Sequence, residues 1–244
     1  MRAERRPAFY ALASGGWRDY WTLLHPPYTL WHLSYVAIGA ATVPGLEGLH
    51  LAAALAGFFL GVGVTAHALD ELNGRPLRTR IPDAVLWAFA WVALAGAVAL
   101  GVAGAVRVSW WLLAFVAFGA FIVVAYNLEL IGGRFHSDLW FALAWGAFPA
   151  LTGAFSQAGT LPVEAALVAA GCAALSAAQR ALSTPVRLLR RRARRVSGAI
   201  ALDDGTTLPL DEGSLRAAPE AALRWLSVAV PLLAAAAVAA RLAS

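Results

Sequence analysis

The stretch HALDELNGRPLRTRIPD, residues 67–83, concentrates side chains that bind metals and phosphates. It separates two long, nearly uncharged runs in a chain in which only 14% of the residues are charged. His67, Asp70 and Glu71 are three and four residues apart, so a helix would present them near one face. Mg²⁺ typically binds one or two carboxylates together with substrate phosphates. The spacing therefore predicts a site in which Asp70 and Glu71 bind Mg²⁺ and His67 is a third catalytic candidate.

Three arginines follow these acids. The guanidinium groups of Arg75, Arg78 and Arg80 match the geometry of phosphate oxygens. We therefore interpret residues 67–83 as a Mg²⁺–diphosphate site. The same residues also suit a solvated turn in which the acids neutralise the arginines, and the spacing alone leaves both interpretations open.

The composition predicts an all-α polytopic membrane protein. Of 244 residues, 60% are hydrophobic and only 14% are charged. A soluble domain has about 25% charged residues. Helices satisfy their own backbone groups in lipid, and crossing the hydrocarbon core takes about 20 residues. All 19 basic residues are arginine, so a retinal Schiff base, which needs a lysine, is excluded. About seven transmembrane helices are predicted, at residues 27–46, 49–69, 84–106, 108–128, 139–158, 161–180 and 222–241.

The arginine distribution predicts the orientation. With a cytoplasmic N-terminus, 17 of the 19 arginines fall on inner segments, leaving only Arg107 and Arg241 outside. This follows the positive-inside rule, so we expect an integral protein of the plasma membrane whose site faces the cytoplasm. Residues 1–26 mix arginines with tyrosines and tryptophans, which is typical of an interfacial segment.

The remaining chain divides into three predicted parts. Residues 27–180 form a six-helix membrane bundle that carries the candidate site, and residues 222–244 form the seventh helix. Between them, residues 181–221 form a basic cytoplasmic loop, with a possible small β-hairpin around Asp204 and Gly205. Its RLLRRRARR run suits anionic membrane lipids. Gly57 and Gly61 are four residues apart. This spacing allows two helices to pack closely, or it shapes a substrate tunnel.

Two further stretches resemble the UbiA-type intramembrane prenyltransferase superfamily. LHPPYTLWHLSYVAIGAA followed by HALDELNGRPLRTRIPD resembles the first helix and the acidic motif of that family, and Asn73, Arg75, Pro76 and Leu77 match its N-x-R-P-L segment. AYNLELIGGRFHSDLWFALAWGAFPALTGAF is similar to the helix 4–5 region, with Tyr126, Gly146 and Pro149 in matching places. The resemblance covers roughly residues 18–180.

The resemblance implies a helical bundle around a cavity in which Mg²⁺ holds an isoprenoid diphosphate for transfer to an acceptor. The substrate-binding residues expected on this basis are Asn73, Arg75, Arg78, Arg80, Tyr126, Arg134, Arg180 and Arg187. The partners expected are an isoprenoid diphosphate or other lipid and anionic membrane lipids, with no nucleic acid. The inner histidines His25, His32 and His136 are additional candidates for metal ligands or a base.

The sequence also departs from the family pattern. Only Asp70 of the first acidic motif is retained, and no acid lies between Glu164 and Asp203, where the second motif is expected. Two hypotheses remain open: arginines such as Arg180 and Arg187 replace metal ions in binding the diphosphate, or the protein is a non-catalytic relative that binds isoprenoid lipid or a membrane partner. A transporter is the third hypothesis. Coupled transporters usually carry ionisable residues near the membrane midplane, and the predicted helices have essentially none there.

Overall fold

A computed structural model describes residues 6–243, so Arg2 and Arg5, counted among the inner arginines, lie outside the described range. Its main helices are α1 Trp17–Leu23, α2 Pro26–Ala40, α3 Gly48–Leu72, α4 Asp83–Arg107, α5 Leu112–Asn127, α6 Asp138–Ala158, α7 Val163–Arg191 and α8 Glu212–Leu242. A single helical turn at Leu130–Gly133 lies between α5 and α6. Strands β1 Gly198–Ala201 and β2 Thr207–Leu210 pair antiparallel on either side of Asp204 and Gly205, which confirms the predicted hairpin.

Five helices, α3, α4, α6, α7 and α8, are long and apolar enough to cross a membrane, judged by length and composition. This agrees with an all-α membrane protein. Helix α5 is apolar but has 16 residues, and α2 has 15, so at 1.5 Å per residue they span about 24 and 22 Å. A hydrocarbon core is about 30 Å thick. The predicted number of seven spans and the side of the N-terminus therefore stay predictions.

The segments predicted to be cytoplasmic contact one another at one end of the bundle. Asn73 Nδ2 donates to the Asn127 carbonyl oxygen at 3.2 Å, and the buried Asp19 accepts the Arg80 backbone N–H at 2.9 Å. We call this the arginine-rich end, which comprises residues 6–25, 73–82, 128–137 and 192–211.

The segments predicted to lie on the other side also contact one another. The Glu47 N–H donates to Gln157 Oε1 at 2.9 Å, and Arg241 Nε donates to the Ala41 carbonyl oxygen at 2.9 Å. The fold therefore sorts the connections into the same two groups as the charge distribution does.

Helix α2 runs through the core of the bundle. Its Trp31 and Tyr35 are fully buried and pack against α6, α7 and α8. A Cβ placed on Gly39 would overlap the backbone of α6, and one placed on Gly153 would overlap the backbone of α2. Glycine at these two positions allows the two helices to touch backbone to backbone, as small residues do in membrane bundles.

Helices α7 and α8 extend farther at the arginine-rich end than predicted. Helix α7 continues to Arg191 instead of ending near residue 180, and α8 begins at Glu212 rather than near residue 222, so the 181–221 loop is shorter than expected. The extensions are stabilised by polar contacts, because Arg190 forms a buried ion pair with Glu220 at 2.7 Å. Asp211 also caps α8 through a capping box with Ser214. Hydropathy predicts only the apolar part of such helices.

Candidate functional site

His67 lies directly after a π-helical segment of α3, Phe59–Ala66. Such segments widen the helix and are frequent at functional sites. His67 Nδ1 is 3.0 Å from the Gly63 carbonyl oxygen, and because a carbonyl only accepts, Nδ1 carries the proton. In the neutral ring, Nε2 then retains a free lone pair. The structure thus gives His67 a defined tautomer and an available basic nitrogen.

His25 covers one face of the His67 ring. The two imidazoles are stacked with centroids 4.0 Å apart and an angle of 9° between their planes. His25 lies immediately before Pro26, at the N-terminus of α2, with φ +46° in the left-handed region. Its Nδ1 is 2.8 Å from the Tyr10 hydroxyl. Burial, and then the neighbouring His67, lower the pKa of His25 well below its usual value, so this ring is neutral.

Asp70 lies one turn beyond His67 and faces the C-terminal part of α7. Its charge interacts most strongly with Arg191 and then Arg187, and more weakly with Glu71 and His136. Within residues 6–243, the Asp70 carboxylate has no hydrogen bond or ion pair. Asp70 is therefore a carboxylate whose oxygens remain available beside two guanidinium groups.

Glu71 has a different environment from its neighbour Asp70. Its side chain is fully buried, and Oε1 accepts the Thr79 N–H and Thr79 hydroxyl, both at 2.8 Å. Oε2 accepts the Leu77 N–H at 2.9 Å. A carboxylate has about four acceptor sites, so three of them hold the loop after α3. This geometry gives Glu71 a structural role. Of the two expected metal ligands, only Asp70 remains available to bind a metal ion.

Arg75, expected to bind phosphate, binds its own loop instead. It donates to the carbonyl oxygens of Thr79 and Ile81 at 3.2 and 2.7 Å, and it forms an ion pair with Asp83. Arg75 and Arg78 both have positive φ, 53° and 58°, so the loop carries backbone strain that these side-chain bonds offset.

The other two arginines of this loop are exposed. Arg78 donates to the Arg191 carbonyl oxygen at 3.2 Å, which ties the loop to the end of α7. Arg80 contributes its backbone N–H to Asp19. Asn73 is exposed, and its side chain donates a hydrogen bond to the Asn127 carbonyl oxygen at the end of α5. The side chains of this loop therefore contact the backbone at the ends of α5 and α7.

Tyr126, at the end of α5, connects to α7 through Arg180. The guanidinium of Arg180 donates to the Tyr126 hydroxyl and to Asp138, and it lies 5.4 Å from the Phe141 ring centroid. The charges of Arg187 and Asp70 also act on Tyr126. Arg180 is held by these contacts at the edge of the site.

The next loop places His136, but not Arg134, against Tyr126. The His136 ring stacks on Tyr126 with centroids 4.4 Å apart, and its Nδ1 is 3.1 Å from the Tyr126 carbonyl oxygen. The Arg134 side chain is exposed and has no hydrogen bond within the described chain, although its backbone N–H donates to the Ile131 carbonyl oxygen. The expected substrate contact of Arg134 is thus without structural support.

Several predicted residues therefore converge next to the arginine-rich end. We call them, together with Arg191, which the sequence did not single out, the polar cluster: His25, His67, Asp70, Tyr126, Arg180, Arg187 and Arg191. Four segments of the chain contribute: the turn before α2, and helices α3, α5 and α7. On α7, positions 180, 187 and 191 are seven and four apart, a spacing that places them on one helical face.

Trp145 connects the polar cluster with an apolar cavity. Its ring centroid is 4.3 Å from that of Tyr126. It lies in a second π-helical segment, Leu143–Ala147, and its carbonyl oxygen accepts from His32 Nδ1 at 2.8 Å. In an α-helix the donor to this carbonyl would be the residue four positions on, which is Pro149 and has no N–H. His32 therefore satisfies a backbone group of α6.

The cavity lies between α3, α4, α5 and α6 and has a volume of about 320 Å³, at the lower end of ligand pockets, roughly 300–1,000 Å³. Its walls are largely apolar and include the aromatic rings of Phe58, Trp145 and Phe148. Gly57 and Gly61 also line it, and a Cβ on either would meet open space. These glycines thus line the cavity and are not at a close helix contact. That the cavity is a substrate tunnel stays a prediction.

The polar cluster does not fit the expected two-carboxylate magnesium site. Glu71 is used by the loop, and no group of three or more His, Cys, Asp or Glu side chains arranged for a metal occurs in residues 6–243. The positive charge in the cluster comes from Arg180, Arg187 and Arg191. A Mg²⁺ ion at Asp70 stays a prediction, and no chemical step below passes through it.

Arg191 was not predicted as a site residue, and His25 was considered only as an additional metal ligand or base. A histidine directly before two prolines is a usable signal in retrospect, because the residue before proline is restricted in conformation. Arg191 lies within the basic RLLRRRARR run, which was predicted to be a loop. Its place in the polar cluster depends on α7 continuing from residue 180 to Arg191.

Comparison of the chain with protein-family models, curated proteins and solved structures finds no match. The function is therefore argued from the site itself.

Proposed function

We propose that this protein is a UbiA-like intramembrane prenyltransferase, which moves an isoprenoid chain from its diphosphate to an acceptor. The observation that supports this most directly is the polar cluster, in which guanidinium groups of α7 and Asp70 of α3 lie next to an aromatic cavity. Guanidinium groups bind diphosphate oxygens in bidentate fashion. On the positive-inside rule, we place this end at the cytoplasmic face of the plasma membrane.

In the proposed reaction, the allylic C–O bond breaks and its electron pair leaves with the diphosphate. Arg187 and Arg191 would stabilise the charge that develops on this leaving group, and fixed donors of this kind contribute most to rate when they are preorganised. The ring of Trp145 offers a π face to the allylic cation. Mg²⁺, when bound at Asp70, would add positive charge at the same diphosphate.

The acceptor then forms a bond to the allylic carbon and loses a proton. His67 is our candidate for the base, because its Nδ1 proton is donated to Gly63 and its Nε2 lone pair is free. The Asp70 carboxylate interacts electrostatically with Arg191 and Arg187 without a direct ion pair. The prenyl chain is proposed to pass Trp145 into the apolar cavity.

The test is turnover by the purified full-length protein in lipid nanodiscs, with Mg²⁺ present. Allylic diphosphates of several chain lengths are supplied with a panel of aromatic and lipid acceptors, and both released diphosphate and prenylated product are measured. We expect turnover by wild type and a loss of about a hundredfold or more for Arg187→Gln. The matched control, Arg194→Gln, replaces an exposed arginine beyond α7 and should leave turnover unchanged. Absence of product with every substrate tested would overturn the proposal.

A second candidate is a non-catalytic relative that binds an isoprenoid lipid. The observation that favours it is the environment of Glu71, whose carboxylate is used by the loop instead of a metal. This candidate predicts that native mass spectrometry detects a copurified isoprenoid lipid, whereas the turnover assay yields no product. Turnover that depends on Arg187 would rule it out.

A further inference from the structure

The backbone of His25 is held in a conformation that histidine rarely adopts. Its φ of +46° and ψ of 53° are left-handed, and the following Pro26 narrows the alternatives further. Such strain persists where surrounding contacts fix it, and it is concentrated at functional sites. Here the contacts are the stacked ring of His67 and the hydroxyl of Tyr10. The His25 ring is thus fixed in place from two sides.

The hydrogen bond to Tyr10 determines which nitrogen of His25 carries the proton. Burial raises the pKa of the Tyr10 phenol well above its usual value, so it keeps its proton. Between a phenol and a neutral imidazole, the phenol is the better donor and the imidazole nitrogen the better acceptor. Tyr10 therefore donates to Nδ1, and the proton of the neutral His25 ring is on Nε2.

This Nε2–H donor is buried without a partner. His25 is only 9% exposed, and Nε2 has no hydrogen-bond partner among the described residues. Buried donors are nearly always paired, so an unpaired one needs an explanation. The side chains that act electrostatically on this ring are those of His67, Arg191, Arg187 and His32. The missing partner is therefore an acceptor, and the nearby guanidinium groups favour an anionic one.

We propose that His25 is a ligand-binding residue whose Nε2–H donates to an oxygen of the diphosphate that Arg187 and Arg191 bind. This inference rests on the proposed function and adds to it a neutral donor from the turn before α2. Tyr10 fixes the tautomer that makes this donor available. The N-terminal segment thereby takes part in binding, and Arg191, which donates to the Pro7 carbonyl oxygen, holds it in place.

Calorimetric titration of the purified full chain with inorganic diphosphate tests this inference. His25→Asn removes the ring, and asparagine tolerates a positive φ. We expect diphosphate binding to weaken about tenfold to hundredfold, the contribution of a hydrogen bond to a charged group. Tyr10→Phe should weaken it less, because the ligand itself can still select the Nε2–H tautomer. The control Arg194→Gln, at an exposed arginine beyond α7, should bind as wild type does.

The outcomes separate this inference from the proposed function. If Arg187→Gln weakens diphosphate binding and His25→Asn, correctly folded, does not, the role of His25 is overturned and the proposed function stands. If wild type binds farnesyl diphosphate no better than farnesol, the proposed function fails as well. Should His25→Asn not fold, ¹⁵N-histidine NMR of wild type replaces it. Diphosphate should then shift the His25 Nε2 signal, and an unchanged signal would contradict the inference.

Discussion

Two neighbouring acids, Asp70 and Glu71, should respond in opposite ways to the same kind of substitution. Glu71→Gln keeps the size of the side chain but replaces one carboxylate oxygen by an NH₂ group. With the remaining oxygen bonded to Thr79, the new NH₂ would face the Leu77 N–H, donor against donor. An unsatisfied buried donor costs about 1–3 kcal/mol, and each kcal/mol lowers the Tm of a chain of this size by about 2–4 °C.

Asp70→Asn should leave stability nearly unchanged, because the Asp70 carboxylate makes no hydrogen bond within the described part of the chain. It should instead reduce turnover by about a hundredfold or more, since the charge that interacts with Arg187 and Arg191 is lost. Differential scanning fluorimetry and the turnover assay, applied to both variants in nanodiscs, measure the two effects. A Glu71→Gln protein that melts like wild type but has lost turnover would refute this division of roles.

Two further pairs of variants test the packing and the cavity. Arg190→Met leaves Glu220 buried with a weaker partner and should cost about 3 kcal/mol, whereas Arg224→Met, at a side chain 58% exposed, should cost less than about 1 kcal/mol in chemical denaturation. Equal costs would contradict the assignment of the buried pair. Gly61→Leu should fill the cavity without loss of stability and lower kcat/KM more for long than for short isoprenoid chains, whereas Gly39→Ala should destabilise the protein through overlap with α6. A uniform change across chain lengths would show that the chain lies elsewhere.

The positions of the long helices could be predicted from hydropathy because lipid requires long apolar runs. Each of α2–α8 lies on a predicted segment, and the hairpin follows from the Asp204–Gly205 turn. The ends of α7 and α8 could not be predicted in this way. They depend on the buried Arg190–Glu220 pair and on the cap at Asp211, which are contacts between segments distant in sequence.

The site could be predicted only in part, because it also depends on contacts that sequence patterns do not show. Side-chain type and spacing singled out His67 and Asp70, and the UbiA resemblance added Tyr126, Arg180 and Arg187. The fold brings these five residues together. Spacing could not show that Arg75 and Glu71 satisfy backbone groups of their own loop, because a strained loop needs internal donors and acceptors that composition does not reveal. The UbiA resemblance remains a prediction.

The central claim is that the guanidinium groups of α7 and Asp70 of α3 surround one diphosphate, with its chain directed past Trp145. A cryo-EM structure with a non-hydrolysable farnesyl diphosphate analogue tests this directly. We predict density for the diphosphate between Arg187 and Arg191 and for the chain in the cavity lined by Gly57 and Gly61. Density at the exposed Arg78 and Arg80, or a polar cluster unchanged at saturating analogue, would contradict the account.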